Sequence, residues 1–128
     1  MINNRPDPLT QTTLDTLRRF NDAFNRQDIT AVMAEMDAEC VFENTYPPPD
    51  GERSSGFAAV QATFSAFFES SPHAYLEFEE IFAWGERAFQ RWTYRWIDAS
   101  GSTGHVRGVD VLRICNGKIL EKLSYVKG

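Results

Sequence analysis

The segment His105–Cys115, HVRGVDVLRIC, followed by Asn116-Gly117 and by Lys118–Val126, KILEKLSYV, determines the fold of this chain. The two longer runs are rich in Val, Ile and Leu, a composition typical of strands. Asn-Gly between such runs favours a two-residue type I′ turn, because both turn positions must accept positive φ. The segment therefore predicts an antiparallel hairpin.

Two more strands are predicted before this hairpin, over Tyr75–Trp84 and Ala88–Asp98, and the Gly- and Ser-rich run 99–104 is a longer hairpin connection. A short earlier strand, Cys40–Asn44, runs into the proline-rich segment 46–51, which cannot continue a strand.

Helical spacing of apolar residues dominates the first half of the chain. The first helix is expected from Thr13, with an N-cap at Thr10, Thr12 or Thr13, and the second after an N-cap at Asp28. A third is expected to open at Ser55 or Gly56 and to end at Ser70-Ser71-Pro72.

Three helices followed by long hairpin-connected strands predict an α+β fold, with the helices on one face of a curved antiparallel or mixed sheet. Strands of about ten residues must twist and curl. We therefore expect a cone-shaped pocket with one open mouth between the helices and the sheet.

The composition fits one domain spanning residues 1–128, with a core over about 14–126 and a flexible arm over 1–8. Of the 128 residues, 13% are aromatic and ten are Phe, which suits either a plain core or the wall of an apolar pocket.

The formal net charge of -5 argues against a nucleic-acid partner. Met1–Pro8 contains no apolar run, so we expect no signal peptide, no membrane anchor and a cytoplasmic location. Cys40 and Cys115 lack a Cys or His partner at metal-ligand spacing, and no dinucleotide or phosphate-loop motif is present. The sequence predicts neither a cofactor nor a metal.

The order of elements, together with Phe20–Asp28, FNDAFNRQD, and Arg107–Ile119, RGVDVLRICNGKI, resembles the nuclear transport factor 2 superfamily, in particular its SnoaL-like polyketide cyclase branch. The resemblance extends over roughly Leu14 to Tyr125. It implies the cone-shaped roll of that superfamily. Its members include cyclases, isomerases, hydrolases, dehydratases and binding proteins, so the resemblance alone does not name a reaction.

Asp110 stands where the resemblance places the catalytic aspartate of the cyclases. Asn44 and Phe20 stand where ketosteroid isomerases have their general base and a tyrosine, which disfavours that activity. Limonene-type epoxide hydrolases have aspartates where this chain has Thr93 and Ser124, although Arg91 matches their arginine, so that mechanism is disfavoured too.

Strand alternation gives Asp110 the same face as Leu112 and Ile114, which should point inward. We expect the face of the preceding strand that carries Phe89, Arg91, Thr93 and Arg95 to look into the pocket. Arg91 would then hold a ligand oxygen, or it would neutralise Asp110 or a glutamate of the strand before it.

The opposite face of that strand carries Trp92, Tyr94 and Trp96, and we expect it to form a homodimer interface on the outside of the sheet. The remaining candidates for contact with a ligand are Phe20, Phe24, Asn44, Tyr46, Phe64, Phe67, Phe89, Thr93, His105 and Leu112. The phenylalanines could equally be core residues, Asn44 a turn cap and His105 a solvated strand end.

Two functions remain open. The first is a cofactor-independent acid–base enzyme of the cyclase, isomerase or lyase type, in which Asp110 moves a proton on a small hydrophobic carbonyl compound and Arg91 polarises an oxygen. The second is a binding or storage module whose pocket carries no chemistry.

Overall fold

A computed structural model describes residues 6–128 of the chain. Its helices are α1 (Pro8–Asn25), α2 (Ile29–Ala34) and α3 (Phe57–Ser70). Its strands are β1 (Met36–Glu43), β2 (Arg53–Ser55), β3 (Tyr75–Trp84), β4 (Arg87–Ile97), β5 (Thr103–Cys115) and β6 (Lys118–Val126). The predicted α+β class is confirmed.

The six strands form one open sheet in the order β2-β1-β6-β5-β4-β3. Every neighbouring pair is antiparallel except β1 and β6, which are parallel, so the sheet is mixed. The predicted hairpin joins β5 to β6, and Asn116 and Gly117 have φ of 51° and 75°, as a type I′ turn requires.

Helix α1 begins earlier than the sequence pattern predicts. Asp7 is its N-cap and accepts a hydrogen bond of 2.9 Å from the backbone N–H of Thr10, while Pro8 occupies the first turn. Position 8, expected in a flexible arm, is therefore helical. Residues 1–5 of that arm lie outside the described residues.

The second and third helices start where predicted, with Asp28 and Gly56 as N-caps. Helix α2 ends at Ala34, so β1 is longer than the predicted Cys40–Asn44. Strand β2 is a further difference, since its three residues begin two positions after the proline-rich segment and pair with Val41–Glu43.

The helices pack on one face of the sheet and share a core with its strands. The buried apolar residues of this core include Leu17, Phe20, Val60, Phe64, Leu112, Ile114 and Ile119. Thr13 and Thr16 of α1 donate hydrogen bonds of 2.6 and 3.0 Å to the carbonyl groups of Gly85 and Gly117, which fixes the helix to two hairpin turns. Within residues 6–128, no helix is both long and apolar enough to cross a bilayer.

Candidate functional site

A cavity of about 170 Å³ lies between the helices and the inner face of the sheet, the face on which the helices pack. Most of its lining residues are apolar, and seven of them are aromatic. The rings come from α1 and α3 on one side and from β1 and β4 on the other, and they belong to Phe24, Phe42, Phe64, Phe67, Trp92, Tyr94 and Trp96. Its polar residues include Asp110, Lys122 and Ser124, which come from two adjacent strands.

Asp110 is the centre of this polar group and is 0% exposed. One carboxylate oxygen, Oδ1, accepts a hydrogen bond of 2.7 Å from Ser124 Oγ, and the other, Oδ2, accepts one of 2.9 Å from Gln90 Nε2. The register explains this arrangement, because Gln90, Asp110 and Ser124 are directly opposite one another on β4, β5 and β6. Cross-strand partners project from the same face of a sheet.

Gln90 connects this group to α1. Asn21 Nδ2 donates a hydrogen bond of 2.8 Å to Gln90 Oε1, and Gln90 Nε2 also lies 3.2 Å from Asn21 Oδ1. Both side chains are buried. A buried amide pair of this kind fixes the orientation of the Gln90 amide that donates to Asp110.

Lys122 supplies a buried positive charge beside Asp110. Its Nζ lies 3.5 Å from Asp110 Oδ1 and donates to Ser124 Oγ at 3.1 Å. The same Nζ is 4.7 Å from the centre of the Phe42 ring and 5.9 Å from that of Phe24, both of which line the cavity. Contacts between a cation and an aromatic ring at these distances are favourable.

The inner face of β4 carries Trp92, Tyr94 and Trp96, which corrects the prediction that these rings lie outside. Ile97 pairs with Thr103 across the hairpin, and this register places Gln90 opposite Asp110, so the even-numbered residues of β4 face inward. Tyr94 accordingly contacts Phe67 of α3, with ring centres 5.4 Å apart.

Two glycines of β5 make room for these indole rings. Gly108 is the cross-strand partner of Trp92, and Gly104 is the partner of Trp96. A Cβ atom at either glycine would overlap the ring of its partner. The rings of Trp92 and Trp96 therefore lie across the β5 backbone and form part of the cavity wall.

Comparison with known proteins agrees with this architecture. Residues 17–122 match the family model of the SnoaL-like domain. The chain belongs to the SnoaL-like family. A comparison with curated proteins finds no match.

Solved structures extend the comparison of this SnoaL-like protein. An NTF2-like protein of unknown function from Mesorhizobium loti is 40% identical, with a TM-score of 0.81 over 97% of this chain and 98% of that one. A protein assigned as a SnoaL-like polyketide cyclase from Jannaschia sp. CCS1 is 14% identical, with a TM-score of 0.81 over 98% of this chain and 92% of that one. TerC, co-crystallised with polyporic acid, is 15% identical, with a TM-score of 0.76 over 91% and 92% of the two chains. The last two show the likeness of fold alone.

Arg91 lies on the outer face of the sheet, the face away from the helices, which corrects its expected position in the pocket. Its guanidinium group pairs with Glu79 at 3.1 Å and with Glu80 at 3.0 Å. Thr93 lies on the same face and donates a hydrogen bond of 2.8 Å to Glu79. Of the roles considered for Arg91, neutralising glutamates of the preceding strand is the one observed.

Glu79 is the centre of this outer network. Arg107 contacts both of its carboxylate oxygens, at 3.1 and 2.9 Å. The hydrogen bonds from Arg107 and Thr93 lower the pKa of Glu79 from 4.5 to about 2, and the charges of Arg107 and Arg91 contribute to the shift.

The other predicted contact residues fall into three groups. Phe24, Asn44, Phe64 and Phe67 line the cavity. Phe20 and Leu112 are fully buried in the core. Tyr46, Phe89 and His105 do not line the cavity: Tyr46 is 73% exposed, Phe89 stacks on Phe82 outside the sheet, and His105 is exposed opposite Arg95.

The sequence pattern does not identify Gln90, Lys122 and Ser124 as partners of Asp110. Cys115 pairs with Lys118 on either side of the Asn116-Gly117 turn. If the pairing continued regularly from there, Asp110 would lie opposite Leu123. A register shift between Arg113 and Ile114 changes the count by one, so that Ser124 is the partner instead. The bulge thus brings Ser124 and Lys122 to the inner face.

Proposed function

We propose that this SnoaL-like protein binds a small hydrophobic carbonyl compound in its cavity and moves a proton on it without a cofactor, with Asp110 as the acid–base group. The observation that carries this proposal is the position of the Asp110 carboxylate, buried among polar partners in a cavity whose lining is mostly apolar. Buried carboxylates beside a pocket are frequent in acid–base catalysis. The co-crystal of TerC with polyporic acid supports a small organic ligand for this fold.

Two features suit Asp110 to this role. Its carboxylate oxygens offer about four lone-pair positions, and the contacts from Ser124, Gln90 and Lys122 use three of them. An acceptor position therefore remains on the group. Asp110 is buried away from bulk water, so that a charge formed there during proton transfer interacts strongly with the protein.

Exchange of carbon-bound hydrogen tests the proposal without knowledge of the natural substrate. Phenylacetone in D₂O loses its α-proton signals in NMR spectra when a base abstracts those protons. We expect the protein to accelerate this loss above the buffer rate, and Asp110→Asn to reduce the acceleration by roughly 10²-fold or more. Arg91→Gln, which changes the outer face only, is the matched control and should retain the wild-type rate. Exchange at the buffer rate, or an Asp110→Asn variant as fast as wild type, would refute the proposal.

Non-catalytic binding is the second candidate, and one observation favours it. Asp110 is 0% exposed, and Ser124, Gln90 and Lys122 already contact its oxygens. A carboxylate that is buried and hydrogen-bonded in this way can provide one polar contact in the cavity without moving a proton. Saturable binding of phenylacetone together with exchange at the buffer rate would establish this function.

We further propose that the protein is a homodimer joined through the outer face of the sheet, by residues other than those first predicted. Phe82, Phe89, Val111 and Leu123 form a row of cross-strand partners on that face. Phe82 is 50% and Val111 36% exposed. A contiguous apolar row flanked by ion pairs is typical of a surface that a partner covers.

A further inference from the structure

We propose that the ligand is a single-ring aromatic carbonyl compound and that the Lys122 ammonium group holds its carbonyl oxygen. This inference rests on the proposed function, because it names the ligand of the same cavity. It assigns to Lys122 the oxygen-binding role that the sequence had suggested for Arg91. Three properties of the cavity carry it: its volume, its surplus of hydrogen-bond donors and its balance of charge.

The volume of the cavity sets the size of the ligand. It measures about 170 Å³. An engineered apolar cavity of about 150 Å³ in another protein holds one benzene molecule. The space within the walls therefore accommodates one aromatic ring with a small substituent, and a compound of several fused rings would have to extend beyond them.

The rings that surround this space favour a flat ligand. Phe64 packs against both Phe24 and Phe42, with the Phe24 and Phe64 rings edge to face at 5.6 Å and the Phe42 and Phe64 rings tilted at 4.9 Å. Trp92 and Trp96 complete the wall on the sheet side. Aromatic pairs at such distances gain energy beyond the burial of their area, so a ligand ring adds to a cluster that already exists.

The polar groups of the cavity call for an acceptor from the ligand. Lys122 has three N–H donors, and its hydrogen-bond contacts within residues 6–128 are Ser124 Oγ and the more distant Asp110 Oδ1. Buried donors without partners are rare. A carbonyl oxygen is an acceptor only, and it would satisfy the third N–H of Lys122, for which that part of the chain supplies no partner.

The charges favour a neutral ligand that becomes negative during the reaction. Lys122 and Asp110 together carry no net charge, so a carboxylate ligand would add an uncompensated negative charge to the site. When a proton leaves the α-carbon for the Asp110 carboxylate, the electron pair of the broken C–H bond forms the C=C bond of the enolate, and the π pair of the carbonyl group moves to its oxygen. The resulting enolate then lies beside the Lys122 ammonium group while Asp110 is neutral, so the net charge of the site is unchanged.

The test compares two ligands of nearly the same shape, acetophenone and its carbonyl-free analogue ethylbenzene, by calorimetric titration. Lys122→Met removes the charge and keeps a long side chain. We expect this variant to weaken the binding of acetophenone relative to that of ethylbenzene by about tenfold to a hundredfold, the ratio typical of a hydrogen bond to a charged group. Lys127→Met changes an exposed lysine and should leave the ratio as in wild type.

Ethylbenzene also reports whether the variant still forms the cavity. If Lys122→Met fails to fold, infrared spectra of carbonyl-labelled ¹³C-acetophenone bound to the wild-type protein provide the second measurement. A hydrogen bond from a charged donor weakens the C=O bond, so we expect the C=O stretching frequency to fall below its value in cyclohexane. The size limit is tested with androst-4-ene-3,17-dione, a four-ring diketone, which should not bind.

Three results would each overturn the inference. They are a ratio of acetophenone to ethylbenzene dissociation constants that is the same in Lys122→Met as in wild type, a carbonyl frequency equal to that in cyclohexane, and tight binding of the steroid. These results are separable from the exchange experiment. Proton exchange that depends on Asp110 but not on Lys122 would remove the role of Lys122 and retain the proposed function. A ligand ratio that depends on Lys122, without any exchange, would retain the ligand class and remove the catalysis.

Discussion

At the scale of single residues, the stability of the buried pair Asp110 and Lys122 can be measured directly. Their side chains are 1% and 7% exposed. Replacing Asp110 by Asn leaves the Lys122 ammonium group buried without its counter-charge, and we expect unfolding to become easier by about 3 kcal/mol or more. Urea denaturation of wild type and variant gives this difference.

The matched control is Glu80→Gln, which removes a partner of Arg91 in an exposed pair and should cost at most about 1 kcal/mol. The double variant Asp110→Asn with Lys122→Met should be more stable than Asp110→Asn alone, since no charge is then stranded. An Asp110→Asn variant as stable as the Glu80→Gln control would show that the pair carries little energy. Activity and stability are read separately, because Asp110 can serve both.

At the scale of secondary-structure elements, the irregular register of β3 creates a pH-dependent contact. The register with β4 shifts between Phe78 and Glu80, and Glu79 at this shift reaches Arg107 on β5. Its pKa is about 2 in the fold against 4.5 ordinarily. The stabilisation is therefore complete above about pH 4.5 and is lost as the pH falls towards 2.

We expect Glu79→Gln to melt at a lower temperature than wild type at neutral pH. This difference in melting temperature, the gap, should shrink to zero as the pH falls from 4.5 to 2. Thermal melting followed by circular dichroism across this pH range measures the gap. Glu77→Gln removes only the exposed pair with Arg95 and should show a smaller gap at neutral pH. A gap for Glu79→Gln that does not change with pH would contradict this assignment.

Alternation within each strand was predictable from the sequence, but the choice of face was not. Alternation sorts the residues of β4 correctly into two sets, but the set with Arg91 and Thr93 is predicted to face the pocket and the set with Trp92 to face outward. Register decides the face: β4 pairs with β5 without a shift, which places Gln90 and Trp92 on the face of Asp110. Gly104 and Gly108 were the available signal, since glycines inside a strand often mark a close approach.

At the scale of the whole molecule, light scattering tests the proposed dimer. At micromolar concentration we expect a mass of twice 14.6 kDa. Val111→Glu places a charge in the middle of the apolar row on the outer face and should give a monomer. Tyr46→Glu alters an exposed ring away from that row and should leave the dimer intact. A monomeric wild type, or a dimeric Val111→Glu, would exclude this interface.

The fold was predictable because its evidence is local: helical periods, strand composition and the Asn-Gly turn each act within a few residues. The candidate site was predictable only in part. Asp110 was identified from the resemblance and from its inward direction, whereas Gln90, Lys122 and Ser124 reach it through contacts between distant segments. Lys122 in particular carries no local signal, because a lysine in a strand is ordinarily solvated.

The glycines opposite Trp92 and Trp96 have a consequence for how such a chain could change over generations. Each indole ring occupies the place of a side chain that β5 does not possess. A Cβ at position 104 would overlap the Trp96 ring, so that ring would have to move and the chamber would change shape. A Cβ at position 108 would also overlap the backbone oxygen of Tyr125, so the neighbouring strand would have to shift as well. Position 104 is therefore the place where descendants could acquire new ligands without moving a strand.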